Sequence, residues 1–261
     1  MPPIRNPFIA GGPVPPERFI GREKEVNAIL NRLTQTLPGS SAIYGEARIG
    51  KTSLLHYLRS DQVLGDWQIS PRDFTFCLLD CGGIDTPFSY NFWRTVVDEL
   101  QQGTQNAQIA RQLADFYLSR EQPNQDVNDL CRHLSLSKHR FVLLLDEFEN
   151  AIRQDSDLLR TLRVLVGEKS TNLVIATIGF LPGLVRDIDL GGGQTFDRPF
   201  EIRKLENFSR DETNYLIDQA LAGTEVKFDQ RDRQFVWDTS QGHPFKVQFA
   251  CSRIFEDKVF S

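Results

Sequence analysis

Residues 45–52 read Gly-Glu-Ala-Arg-Ile-Gly-Lys-Thr, a complete G-x-x-x-x-G-K-[ST] pattern. At average amino-acid usage, this pattern appears by chance in about one chain in a hundred of this length. A short apolar segment, 41–44, precedes it, and an apolar helical stretch, 53–58, follows it. Phosphate-binding loops occur in this strand–loop–helix context. The stretch therefore predicts a nucleotide-binding α/β domain.

The residue types of this loop suit phosphate binding. Glycines let the backbone wrap around the phosphates, so that successive N–H groups and the positive end of the following helix face the anion. Lys51 is expected to reach the β- and γ-phosphates, and the Thr52 hydroxyl is expected to bind Mg²⁺. The predicted nucleotide-binding residues here are Gly45, Glu46, Ala47, Arg48, Ile49, Gly50, Lys51, Thr52 and Ser53.

A second motif lies where the apolar run 141–145 ends in Asp146 and Glu147. A buried strand that stops at two acids, in a chain with a phosphate loop, indicates a Walker B motif. Asp146 is expected to bind Mg²⁺, and Glu147 to orient and polarise the attacking water. Glu149 could compete for that role, but we expect it to point to solvent.

The acid pair also bears on the type of reaction. A small-molecule kinase has to exclude water, whereas a second acid beside the metal ligand favours water activation. We therefore predict ATP hydrolysis rather than phosphorylation of a metabolite. The predicted catalytic residues are Glu147, Asp146 and Lys51.

The remaining pattern predicts three segments. The first 17 residues contain six prolines, which favour an extended arm, either across the domain surface or as a linker. Strands then alternate with helices, as in a parallel sheet covered by helices on both faces. After about Leu205 only helices are predicted. The predicted segments are the arm (1–17), the α/β domain (18–205) and a helical lid domain (206–261), with strands near 41–44, 74–80, 141–145, 173–178 and 200–202.

Composition limits the class of protein and its expected partners. The 261 residues are 40% hydrophobic and 25% charged, as in ordinary globular proteins. No apolar run approaches the ~20 residues that span a bilayer. The net charge of −5 gives no support for broad capture of nucleic acid. The four cysteines lack metal-ligand spacing and are predicted to be free thiols, which agrees with a cytoplasmic location.

Three motifs together resemble the prokaryotic STAND class of P-loop ATPases, which are related to AAA+ and origin-recognition ATPases. Phe19-Ile20-Gly21-Arg22-Glu23, directly before a helix, resembles their hhGRE motif. The loop, continued by Ser53-Leu54-Leu55, is similar to their RxGKTSLL form. Gly242-His243-Pro244-Phe245 resembles their GxP motif in the lid. With Walker B, the resemblance covers nearly the whole chain.

The resemblance implies a P-loop NTPase three-layer sandwich, with a five-stranded parallel sheet ordered 5-1-4-3-2 and a small C-terminal helical lid. ATP or ADP with Mg²⁺ would lie between them. An arginine finger could be Arg160, Arg163 or Arg186, and the sequence does not choose among them. The implied contacts are Ile20, Gly21 and Arg22 with the adenine and ribose, Pro244 with the base, His243 with the phosphate side, and Thr177 in the sensor 1 position near the end of the fourth strand.

The resemblance further implies a slow ATPase switch in signal transduction, with defence as a family-level expectation. Exchange of ADP for ATP would move the lid and expose a self-association surface, while sensor and effector functions would lie outside this chain. Neither membrane nor nucleic acid is expected as a partner. Two alternatives remain: a DNA-associated AAA+ ATPase of origin-recognition or transposition accessory type, and a nucleotide-binding scaffold without turnover.

Overall fold

A computed structural model describes residues 5–167, 173–182 and 195–260. Its centre is a five-stranded sheet in which every neighbouring pair is parallel, with the order β2-β3-β4-β1-β5. This confirms the predicted order 5-1-4-3-2. The strands are β1 (Ser40–Tyr44), β2 (Phe74–Asp80), β3 (Arg140–Asp146), β4 (Val174–Phe180) and β5 (Phe200–Lys204).

Helices cover both faces of the sheet, which explains why the central strands are continuously apolar. Val142 and Leu144 of β3 pack with α1 (Glu23–Thr34) and α2 (Lys51–Leu58) on one face. Leu143 and Leu145 pack on the other face with α4 (Phe88–Gly103) and α8 (Ser156–Gly167). The predicted three-layer sandwich is therefore confirmed.

Several helix boundaries differ from prediction. Two six-residue helices, α3 (Asp61–Asp66) and α7 (Glu149–Gln154), were not predicted, because they are too short to show an amphipathic repeat. The sequence predicts helices near 106–119 and 126–137 in this region. Helix α5 (Ala107–Ala114) ends five residues before 119. Helix α6 (Pro123–Leu134) begins at a proline, which suits the first turn of a helix, rather than at residue 126.

The segment after β5 is helical, as predicted, and forms a hydrophobic core of its own. It consists of α9 (Arg210–Leu221), α10 (Gln230–Ser240) and α11 (Pro244–Phe260). Ile217, Val236 and Val247 are fully buried within this core. Ser209 and Glu212 have the spacing that predicts a capping box, and they form one at the start of α9. We call these three helices the lid.

The proline-rich segment is extended, with one 3₁₀ turn at Pro16–Arg18. It lies against the rest of the molecule. Phe8 is buried in the lid core, with its ring centroid 5.7 Å from that of Phe228. Of the two predicted arrangements, the described part of the arm follows the one across the domain surface.

The cysteines are free thiols, as predicted. Burial raises the pKa of Cys77 and of Cys251 to about 12, so these thiols remain protonated at neutral pH. Among the described residues, no helix is long and apolar enough to cross a membrane.

Candidate nucleotide-binding site

The predicted phosphate loop connects β1 to α2, and its shape depends on two glycines. Gly50 has a φ of 100°, a left-handed conformation that glycine adopts readily. A Cβ on Gly45 would lie 2.9 Å from Cγ2 of Ile49 and 3.1 Å from the carbonyl oxygen of Leu205. The first glycine therefore permits close packing, and the second permits the turn into the helix.

Lys51 holds its ammonium group inside the loop. Its Nζ donates hydrogen bonds to the carbonyl oxygens of Gly45 and Glu46, each at 3.0 Å. Burial lowers the pKa of Lys51, and the nearby carboxylates, Glu149 first, act in the opposite direction. The lysine is therefore positioned to exchange loop carbonyls for phosphate oxygens.

A hydroxyl and a carboxylate meet beside this lysine. Oγ1 of Thr52 donates to Oδ2 of Asp146 at 2.5 Å. Asp146 ends β3 and is buried, and a Cβ on the neighbouring Gly179 would lie 3.3 Å from its Oδ1. Mg²⁺ typically takes one or two protein oxygens and completes its shell with phosphate oxygens and water. The Thr52–Asp146 pair fits a nucleotide-bound Mg²⁺.

Of the two glutamates that follow, Glu149 differs from prediction. Glu149 is only 8% exposed, and its Oε2 is buried without a hydrogen-bond partner. Glu147 is exposed and has a φ of 46°. The prediction that Glu149 points to solvent is wrong, because the left-handed turn at Glu147 starts α7 with Glu149 facing the interior.

The Glu147 carboxylate has an acidic environment. Desolvation raises the pKa of Glu147, and the negative charges of Asp80, Asp146 and Glu149 raise it further, whereas Lys51 lowers it. A carboxylate with a raised pKa is a stronger proton acceptor. Asp80, which ends β2 opposite Asp146, was not predicted as a site residue, although acids at the ends of adjacent parallel strands share one edge of the sheet.

A cavity of about 590 Å³ opens between the loop, the arm and the lid, within the usual size range of small-molecule sites. It brings together most predicted site residues, namely Ile20, Arg22, Ala47, Arg48, Ile49, Gly50, Lys51, Thr52, Ser53, Asp146, Glu147 and Pro244. Gly45, Glu46 and Gly21 lie outside its lining. The lining residues that were not predicted to bind nucleotide include Arg18, Phe19, Glu149, Leu181, Phe208, Leu216, Phe245, Gln248 and residues 9–14 of the arm.

Arg22 connects the phosphate loop to the beginning of the lid segment. Its Nη2 donates to the carbonyl oxygen of Ile49 at 3.1 Å, and its guanidinium lies 4.9 Å from the ring centroid of Phe208. Gly21 has a φ of 78°, and a Cβ there would lie 3.1 Å from the Phe208 ring. Of this segment, Ile20 and Arg22 line the cavity, while Gly21 packs against Phe208.

In the lid motif, residues 242–245, the adjacent residues Pro244 and His243 have different surroundings. Pro244 begins α11 and lines the cavity, and its contact with the base stays a prediction. His243 is 7% exposed, is not part of the lining, and has a buried Nδ1 without a hydrogen-bond partner. The Phe208 N–H donates to the Gly242 carbonyl at 2.8 Å, which fixes this turn. The structure thus does not place His243 toward the phosphates.

Thr177 does not lie near the end of its strand, where the sensor 1 position is expected. It lies in the middle of β4, 1% exposed, with Ser41 and Leu144 as its strand neighbours. The strand was predicted to end at residue 178 but continues to Phe180. Gly179 therefore takes the place beside Asp146, and no polar side chain extends from that position.

The arginine-finger candidates lie away from the cavity lining where they are described. Arg160 pairs with Asp157 at 2.5 Å, and Nε of Arg163 donates to the Thr195 carbonyl at 2.9 Å. Arg186 lies outside the described residues.

Comparisons with known proteins agree with this geometry. Residues 18–175 match the model of the AAA ATPase domain family. The chaperone protein ClpB of Mycobacterium tuberculosis is 26% identical over 238 residues, which cover 81% of this chain and 27% of ClpB. The chain thus spans about a quarter of the length of this curated relative.

Two solved structures show a similar fold. The Aeropyrum pernix ORC2 protein, in its ADPNP and ADP complexes, has a TM-score of 0.65 at 15% identity, over 95% of this chain and 66% of that one. Drosophila ORC bound to DNA has a TM-score of 0.63 at 18% identity, over 95% and 59%. With a phosphate loop, Walker B acids and a match that covers more than half of its length, the chain belongs to the AAA ATPase domain family.

Proposed function

We propose that the chain is an ATP-binding, slowly ATP-hydrolysing core whose bound nucleotide controls the position of the lid. One observation carries this proposal: Lys51, the Thr52–Asp146 pair and the lid residue Pro244 line the same cavity. Pro244 belongs to the lid and the phosphate loop to the core. Because both line one cavity, a ligand that fills it contacts the core and the lid together.

The side chains suggest a division of work in hydrolysis. Lys51 leaves the Gly45 and Glu46 carbonyls and donates to the phosphates. Thr52 and Asp146 hold Mg²⁺, which neutralises phosphate charge when bound. Glu147 orients a water molecule and accepts its proton.

The resemblance to STAND ATPases supports one use of this chemistry, a signal-transduction switch. In that role the ADP state keeps the lid closed on the core, and the ATP state releases a self-association surface. Sensor and effector functions would come from other domains or proteins.

The DNA-associated alternative has more direct support from the comparisons. The similar folds include origin-recognition proteins, and one of these structures, that of Drosophila ORC, is bound to DNA. The net charge of −5 opposes broad electrostatic capture, but a local basic surface is compatible with it. We therefore propose DNA as a second candidate partner. The net charge alone is not a sufficient reason to exclude nucleic acid.

Two assays test these roles. The wild type is expected to release phosphate from ATP in the presence of Mg²⁺, and a chelator is expected to abolish this activity. Tight ADP binding without phosphate release from ATP would indicate a scaffold. Fluorescence anisotropy with duplex DNA between low and physiological salt tests the DNA role, because phosphate contacts make affinity salt-dependent. Salt-dependent binding supports DNA association, and nucleotide-dependent self-association without DNA binding supports the switch.

A further inference from the structure

We propose that residues 9–14 of the arm form part of the nucleotide site, as a strap that joins the lid helix α11 to the phosphate-loop helix α2. Nucleotide binding and lid docking would then be linked through the arm. This inference rests on the proposed function, because it takes an adenine nucleotide as the ligand of the cavity.

The strap is attached to the lid at its N-terminal end. Nδ2 of Asn6 lies 2.8 Å from Oγ of Ser252, 3.1 Å from the Ser252 carbonyl oxygen and 3.0 Å from Oε1 of Glu256. The Phe8 ring is 6% exposed and packs in the lid core. The Ile9 N–H donates to Oε1 of Gln248 at 2.9 Å. All of these lid contacts are made to α11 or its core.

The other end of the strap is attached to the core. The Val14 N–H donates to Oγ of Ser53 at 3.0 Å. Ser53 follows Thr52 in α2, is 7% exposed and also lines the cavity. Since its oxygen accepts from the arm, the Ser53 hydroxyl proton remains available to donate to a ligand oxygen.

Between these attachments, the arm forms one wall of the cavity. Residues 9–14 all line the cavity, together with Lys51 and Pro244. The matched family region begins at residue 18, so this wall lies outside it. Gly11 and Gly12 are exposed, and a Cβ on either would meet no atom within 4 Å. The strap is thus attached at its ends and open along its middle.

Such an arrangement couples two equilibria. A ligand that contacts both the strap and the phosphate loop stabilises the conformation in which the strap is docked, and the docked strap holds α11. By linkage, a change that loosens the strap on the lid lowers ligand affinity even when it lies outside the cavity. Asn6 is suited to this test, because it contacts the lid and does not line this cavity.

The test uses the full chain and ADP as the probe. Isothermal titration compares the wild type with Asn6→Ala, Phe8→Ala and the control Asn31→Ala, which alters an exposed asparagine of α1. Loss of the Asn6 hydrogen bonds is expected to raise the Kd of ADP about threefold to tenfold. Asn31→Ala is expected to leave the Kd unchanged. Because Phe8→Ala removes a core ring, Asn6→Ala decides the result if the Phe8 variant fails to fold.

Hydrogen–deuterium exchange of the same proteins provides a second readout. ADP is expected to protect the backbone amides of residues 9–12 and 14 in the wild type, and less so in Asn6→Ala. If the wild type binds ADP and Asn6→Ala binds it with the same Kd, the strap proposal is overturned and the proposed function is left intact. The same holds if the wild type binds ADP but its arm amides are not protected. A wild type that does not bind ADP would overturn both.

Discussion

The two ends of the cavity are built in different ways. The phosphate end comes from one contiguous stretch, residues 47–53, and from Asp146 at the end of β3. The lid end combines residues 9–14 of the arm with Phe208, Leu216, Pro244, Phe245 and Gln248. A short stretch of sequence is therefore enough to specify the phosphate end, whereas the lid end exists only when three distant segments fold together.

If this division is correct, a substitution at the phosphate end is expected to cause the largest loss of nucleotide affinity. Lys51→Ala is expected to weaken ADP and ATP binding by about 100-fold or more, because it leaves buried phosphate charge unpaired. Isothermal titration measures the effect, with exposed Lys24→Ala as the control. Near wild-type affinity in a folded Lys51→Ala protein would refute the phosphate-loop assignment.

Substitutions of Glu147 and Glu149, at the same end of the cavity, distinguish an effect on hydrolysis from an effect on nucleotide binding. Glu147→Gln is expected to slow hydrolysis by about 100-fold while ATP still binds, as for a lost general base. Glu149→Gln, the matched charge change at a buried position, is expected to slow it less. Single-turnover phosphate release measures both, and the opposite order would assign the base to Glu149.

The pH dependence follows from the environment of Glu147. A general base has to be deprotonated, and the pKa of Glu147 is raised above its ordinary value. The kcat/KM is therefore expected to fall, as the pH is lowered, at a higher pH than an ordinary glutamate would give. Glu147→Gln should remove this acid limb; a limb that persists in the variant belongs to another group.

At the lid end, neighbouring residues are expected to behave differently. Pro244→Ala should weaken ADP binding about tenfold through lost apolar contact, and should lower the free energy of unfolding by no more than about 1 kcal/mol. His243→Ala should lower the free energy of unfolding and leave the Kd nearly unchanged, because His243 is buried outside the cavity lining. Titration and urea unfolding of both variants test this; equal effects on the Kd would contradict it.

The smallest effect is expected where the two ends meet. The Arg48 guanidinium lies 4.5 Å from the ring centroid of Phe245, which links the loop to α11. A double-mutant cycle with Arg48→Ala and Phe245→Leu should give a coupling energy of about 0.5–1 kcal/mol in ADP binding. Strictly additive variants would show that this contact does not connect the ends.

Local patterns predicted the fold and the phosphate end well. The phosphate loop and the apolar run that ends in Asp146 indicate Lys51, Thr52 and Asp146, because both motifs are contiguous in sequence. The sheet order followed from the family resemblance, since the pairing of distant strands is not a local property. Predictions about Thr177 and Glu149 failed because they required a strand end and a turn conformation, and these are set by tertiary packing. The arm contacts could not be predicted, since nothing in a proline-rich sequence indicates that Asn6 bonds to Ser252.

Photolabelling with 8-azido-ADP tests most directly whether one nucleotide spans both ends of the cavity. We expect labelled peptides from the arm or residues 18–22, or from the start of α11, with labelling lost in Lys51→Ala and reduced by excess ADP. Labelling elsewhere, or labelling that ADP does not reduce, would show that the nucleotide does not lie between the phosphate loop and the lid.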